Sequence, residues 1–210
     1  MVKFFTILFF VTGICTAAIA QTKSNVEFGA NIGYNISYIN ETGYGDLNSP
    51  TVGGINLGVS ADFKISAMWS IKVKGIYDQK GWAGGYFIDK AGETINNPIF
   101  QLNYITVPVM ATWHFGRTKN WYLNFGPYVG FLLNANETFT NTDVKSTFNN
   151  TDAGIALGIG VKFPISDKVR LFIEDDGQVG VINIFKNGTN GVMVENVRSG
   201  LNIGINFPLD

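Results

Sequence analysis

Residues 104–133 alternate strictly on either side of a five-residue break at 116–120, and no other stretch limits the fold so sharply. Before the break the odd positions are Ile105, Val107, Val109, Ala111, Trp113 and Phe115. After it they are Trp121, Leu123, Phe125, Pro127, Val129, Phe131 and Leu133. The even positions carry Thr106, Thr112, His114, Tyr122, Asn124, Gly126, Tyr128 and Gly130. Side chains alternate faces along a strand, so the pattern predicts a hairpin with one continuous apolar face, a period that no helix produces. Each arm has about 11–13 residues, and a tilted strand needs about 9–11 to cross ~30 Å of hydrocarbon. Trp113, Phe115 and Trp121 crowd the turn, as amphipathic rings do at a bilayer interface.

The same period recurs at 26–39, 52–64, 69–81, 152–163, 169–182 and 197–207. With the hairpin this makes eight strands, joined by connections that alternate between four or five residues and about a dozen or more. Brief periplasmic turns, longer external loops and an even strand number describe a transmembrane barrel. The predicted fold is therefore all-β, an eight-stranded antiparallel up-and-down transmembrane β-barrel. Trp69, Trp113 and Trp121 flank short turns and Trp82 stands at the mouth of a long loop, so two aromatic girdles are expected. The prolines at 108 and 127 lie at nearly one height in paired strands; proline cannot donate to the ladder, which predicts a bulge or kink there.

Residues 1–20 read as an export signal: Lys3 supplies the charge, Phe4 to Ile14 the apolar core, and Ala18-Ile19-Ala20 the cleavage site. The apolar run is too short for a membrane anchor. Cys15 lacks the small preceding residue of a lipoprotein site. The barrel domain then spans 21–210. Removing the signal takes away the single cysteine and leaves 14 basic against 16 acidic side chains. That balance argues against nucleic acid as a partner, and no disulfide or thiolate chemistry remains. No later run of 18 apolar residues offers a membrane helix.

A soluble lipocalin-like binding barrel is the inverse reading, with the apolar face inward. Periodicity alone does not separate the two, but composition favours the membrane barrel. The polar face is mostly Gly, Asn, Ser and Thr, which suits a narrow lumen filled by side chains better than a water-facing exterior. The inward parity also gathers Glu27, Asp62, Lys64, Lys72, Lys74, Asp78, Lys80, Lys162, Arg170, Glu174 and Arg198. Both signs occur, so these are expected to form a self-neutralising ion-pair network rather than a solute path.

His114, the only histidine, adjoins a short turn, with Ser70 and Ser166 near the same end. A lipid-modifying enzyme acting on the outer leaflet needs its base and nucleophile at the other rim. No residue spacing suits a metal, and Gly154, Gly158 and Gly160 precede no helix, so no cofactor is expected. Three sequons, at Asn40, Asn136 and Asn187, are incidental in a bacterial outer-membrane protein. One long loop, 134–151, is rich in Asn and Thr and carries Phe139 and Phe148. Loops on a rigid scaffold are the usual carriers of binding, so these two rings are the candidate contacts for an extracellular protein or glycan. Both are expected to stand exposed on an otherwise polar tip, where they either anchor such a partner or pack against a neighbouring loop, the second being the favoured outcome. The expected protein is a monomer without enzymatic activity, embedded in outer-membrane lipid; a small-solute channel is the rival function.

Four stretches carry a family resemblance. Ile76-Tyr77-Asp78-Gln79-Lys80-Gly81 resembles the Y-x-x-K-G end of strand three in PorT-like outer-membrane barrels, and residues 102–110 (LNYITVPVM) resemble that family's Y-L-x-I-P strand. Residues 126–133 (GPYVGFLL) and 152–163 (DAGIALGIGVKF) are similar to its later strands. The resemblance implies an eight-stranded outer-membrane barrel with no assigned activity, built into the membrane by the barrel assembly machinery. Two departures stand out. Asp175, Asp176 and Gly177 replace the small and aromatic residues usual in strand seven, and parity turns Asp175 toward lipid. The sequence closes on Phe207-Pro208-Leu209-Asp210 rather than on a terminal aromatic, which weakens the case for assembly through that signal.

Overall fold

The computed structural model describes residues 25–42, 47–88, 92–186 and 191–209. The export signal expected at 1–20, with Cys15, and the sequon at Asn187 lie outside them.

Eight long strands follow the alternating runs: β1 (Val26–Thr42), β2 (Val52–Lys64), β3 (Trp69–Ala83), β4 (Ile99–Phe115), β5 (Trp121–Glu137), β6 (Thr151–Ser166), β7 (Val169–Gly180) and β8 (Met193–Pro208). Each pairs antiparallel with its neighbours in the chain, and β8 pairs with β1 along sixteen residues, so the sheet closes without an edge. The strands outrun the predicted ones chiefly at their external ends. There short pieces cap them: Leu47–Asn48 beside β1, Thr142–Asp143 beside β5, and a small hairpin of Tyr86–Ile88 with Thr94–Asn96.

The pairing also fixes the stagger. Stepping in register from Phe28 through Ala61, Val73, Val109, Pro127, Ile155, Val179 and Val197 returns to β1 at Tyr38, ten residues further along. Such a stagger over eight strands corresponds to a tilt of about 40° and an interior just wide enough for side chains to fill.

Parity decides what faces where. Ile32, Val59, Leu157, Leu201 and Ile203 are each 56–65 % exposed on the outer wall, whereas Glu27, Asp78, Lys80 and Arg198 are at most 1 % exposed inside. A lipocalin-like barrel has the opposite arrangement, so that alternative is overturned. Hydrocarbon is the solvent that makes such an exterior favourable. Trp69, Trp113 and Trp121 stand outward at the short-turn end, with Trp69 and Trp113 stacked at 6.4 Å.

Two expectations need correction. Trp82 belongs to no girdle: its even position turns it into the barrel mouth, where it is 5 % exposed. The prolines cause no bulge. Pairing lapses around Val109, Met110, Gly126 and Pro127, but register is kept because a ladder bond is lost without an inserted residue. Gly126 lets the two backbones meet there; a Cβ on it would sit 2.1 Å from the Val109 carbonyl oxygen. The bulge of this hairpin lies instead between Asn103 and Tyr104, opposite Leu132 and Asn134. It resets the parity of β5, so that Ala135 and Glu137 turn inward along with Leu132.

Candidate functional site

Inward positions on all eight strands converge on the lumen, and they fill it in two chemically different layers. The lower and middle layer is ionic. Near the periplasmic end, Glu27 bonds Lys162 and lies 2.5 Å from Arg170, while Asp62 stands 3.6 Å from Lys162. At mid-height Lys74 lies 2.8 Å from Glu174 and 3.0 Å from Asp176, and Lys72 lies 3.5 Å from Glu174. Arg198 bridges Asp78, at 2.9 Å, to Asp176. Above them Lys80 pairs with Asp152 at 2.9 Å, and Asp152 also accepts from the Tyr128 hydroxyl and the Asn196 amide.

Six cations (Lys72, Lys74, Lys80, Lys162, Arg170, Arg198) thus meet six acids (Glu27, Asp62, Asp78, Asp152, Glu174, Asp176), and the paired set is neutral. Tyrosine rings and amides take up the remaining space. The Lys72 ammonium sits 4.2 Å from the Tyr122 ring centre, and the Lys80 ammonium 4.7 Å from that of Tyr128. An amide chain crosses the tube from Asn202 through Asn31, Asn56 and Asn35 to Asp78. Glycines make room for it: a Cβ on Gly33 would fall 2.2 Å from the Asn202 amide oxygen. Buried pairs lose hydration, and dense hydrogen bonding of this kind compensates and rigidifies.

All eight residues predicted to form the network, Glu27, Asp62, Lys72, Lys74, Asp78, Arg170, Glu174 and Arg198, take part, as do Lys80 and Lys162. Lys64 stands apart, lining a periplasmic recess with His114, Lys119, Lys162 and Arg170. Asp152 and Asp176 were missing from the prediction although their even positions mark them as inward. Asp175, on the other parity, is exposed on the outer wall and accepts a 3.3 Å bond from Ser199.

The upper layer is apolar and no sequence feature announced it. Ile39, Leu102, Tyr104, Leu132, Ala135, Val144, Ile184 and Val194 pack across the tube under the external mouth. Phe148 belongs to this layer. Placed by the sequence on an exposed loop tip, it takes instead the packing role: it is 1 % exposed because its loop folds inward through the turn Lys145–Thr147. There it meets Phe185 of the β7–β8 connection at 5.0 Å and Trp82 edge-on at 5.7 Å. Phe139 remains outside, 65 % exposed. Its turn is held by Glu137, whose carboxylate accepts from the Phe139 and Thr140 amides at 2.9 and 2.8 Å and from the Thr140 hydroxyl.

Above the apolar layer lies a cup of about 480 Å³. All four external connections contribute walls: Pro50 from the first, Tyr86 and Phe87 from the second, Thr147 and Phe148 from the third, and Phe185 from the fourth. Trp82 and Phe100, stacked at 4.8 Å, complete the aromatic lining. At the opposite end, Ser70 Oγ and His114 Nε2 are 3.0 Å apart, with Ser70 only 1 % exposed. Among the described residues no group of three or more His, Cys, Asp or Glu side chains suits a metal ion.

No curated protein matches the chain. Among solved structures, the crystal structure of Neisserial surface protein A (NspA) is similar, with a TM-score of 0.52 at 16 % identity over 90 % of this chain and all of that one. The outer membrane protein OprG from Pseudomonas aeruginosa matches with a TM-score of 0.50 at 10 % identity, covering 88 % of this chain and 96 % of its own. At such identities the likeness concerns the fold alone. The model of the outer membrane protein beta-barrel domain family matches residues 19–186, most of the chain. With the closed eight-stranded sheet and its apolar exterior, this makes the chain a member of that family and a protein of the bacterial outer membrane.

Proposed function

We propose that this is a non-enzymatic, PorT-like barrel that does not conduct solutes and acts by binding at its external face. One observation carries the reading: side chains cross the lumen in two layers, one ionic and neutral and one apolar, while all four external connections converge on one cup. A channel needs a continuous wetted path, and eight strands leave an interior that side chains fill. A hydrolase needs an accessible nucleophile; Ser70 is buried and beside the periplasmic turns. The cup and the exposed Phe139 are the external features a partner would meet, and an extracellular protein or glycan is the partner class that fits the loop.

Planar-bilayer recording tests the closed lumen: purified protein should add no steady conductance, and large, stable single-channel steps would overturn the reading. Turnover of a labelled lipid that disappears in His114→Ala would likewise overturn the non-enzymatic assignment.

A further inference from the structure

The chemistry of the cup narrows what it accepts. Its floor is sealed by Ile39, Val144 and Phe148, so an occupant enters and leaves by the external side rather than passing through. Its volume lies within the roughly 300–1,000 Å³ of small-molecule sites, which are mostly apolar walls with a few placed polar groups. The walls here are rings. Trp82 meets Phe100, Phe148 and Phe185 within 6.1 Å, and Phe87 stands edge-on to Phe100 at 5.9 Å.

Among the described lining residues the only charged side chain is Glu41. It occupies an inward position at the external end of β1, half-buried, two residues above Ile39. No hydrogen bond or ion pair among the described residues engages its carboxylate, in contrast to the paired acids of the lumen below. Among the described residues the nearby lysines are turned elsewhere: the ammonium of Lys145 bonds the Leu133 carbonyl at 2.7 Å and that of Lys186 the Ser146 carbonyl at 3.1 Å. Aromatic faces attract cations through their quadrupole, and a carboxylate among them adds a counter-charge while repelling anions.

We propose that the mouth cup binds a small organic cation with an apolar body, such as a substituted ammonium, seated against the Trp82–Phe100 wall with its charge toward Glu41. This rests on the external binding function proposed above and goes beyond it, giving the cup a small ligand of its own beside any macromolecular partner of the loop.

The test uses full-length barrel in lipid nanodiscs, with Trp69, Trp113 and Trp121 changed to Phe so that Trp82 alone reports. Titration with benzyltrimethylammonium should change Trp82 emission saturably. The equal-sized neutral neopentylbenzene should bind about tenfold more weakly, as expected for loss of the cation–π and counter-charge attraction, and benzenesulfonate should not bind. Glu41→Gln should erase the preference for the cation, and Thr147→Arg, at an exposed position on the rim, should abolish cation binding; both should keep the heat-modifiable folded form. Equal response to cation and neutral analogue, an unchanged preference in Glu41→Gln, or no saturable response would each overturn the proposal. Conductance is read separately: a silent barrel that ignores the cation sinks only the ligand assignment, whereas a conducting one sinks the closed-lumen reading.

Discussion

Two single positions test how strictly each face of the wall is held. Asp175 sits halfway along β7 between Ile173 and Gly177 on the lipid side, with Ser199 as its hydrogen-bonding neighbour. A Lys or Arg at the bilayer midplane costs roughly 2–4 kcal/mol and an acid less, and one bond from serine offsets only about 0.5–1.5 kcal/mol. Asp175→Leu should therefore stabilise the folded barrel by about 1 kcal/mol in urea unfolding from lipid vesicles; marked destabilisation would mean that the carboxylate has a partner in the membrane. Gly160 tests the inner face. A Cβ there would come within 2.4 Å of the Tyr122 ring, which is wedged beneath Lys72 and Lys162. Gly160→Ala should cost about 1–3 kcal/mol by overpacking in the same assay, and a neutral result would show that the tyrosine has room to move. The orientations of both residues followed from counting alternate positions. The need for glycine did not, because which residue faces it from the next strand depends on stagger.

At the level of elements, the alternating runs were legible almost end to end. β2 has the predicted bounds, and β4 and β5 continue the predicted arms outward. Alternation failed as a guide where the backbone stops being a regular ladder. The irregularity at Asn103 and Tyr104 resets parity in β5, and beyond it the strand ends and loops turn inward to pack on each other. Polar composition made 134–151 look like a free loop, yet Phe148 within it is among the most buried rings of the molecule. The two phenylalanines of this loop should therefore behave oppositely. Phe148→Ala removes a buried ring and should cost about 3–5 kcal/mol in unfolding free energy, whereas Phe139→Ala should leave stability within about 0.5 kcal/mol. Equal effects in urea titrations of the two variants would show that the loop does not dock as described. A partner that needs the loop surface should be lost with Phe139→Ala, in a barrel that is otherwise intact.

At the scale of the whole molecule, membrane and lumen impose opposite demands on each strand, and the chain meets both by alternation. The exterior needs apolar side chains because lipid offers no hydrogen bonds. The interior needs polar groups that satisfy one another, since a tube this narrow leaves little space for water. The ionic layer was readable because charge and parity coincide in the sequence; the apolar layer was not, because it is assembled from strand ends and loops far apart in the chain. Two independent layers of side chains across the lumen have a consequence that can be measured. Replacing both Phe148 and Phe185 with Ala should loosen the mouth, lower unfolding stability and raise the accessibility of Trp82 to an aqueous quencher such as iodide. It should still add no steady conductance in a planar bilayer, because the bridges from Lys74 and Arg198 to Asp176, and from Lys80 to Asp152, continue to span the tube beneath. Only a barrel that also loses Arg198, which ties Asp78 on β3 to Asp176 on β7, should begin to pass ions. Stable conductance from the double phenylalanine variant alone would show that the ionic layer is permeable and that the aromatic mouth is the true barrier.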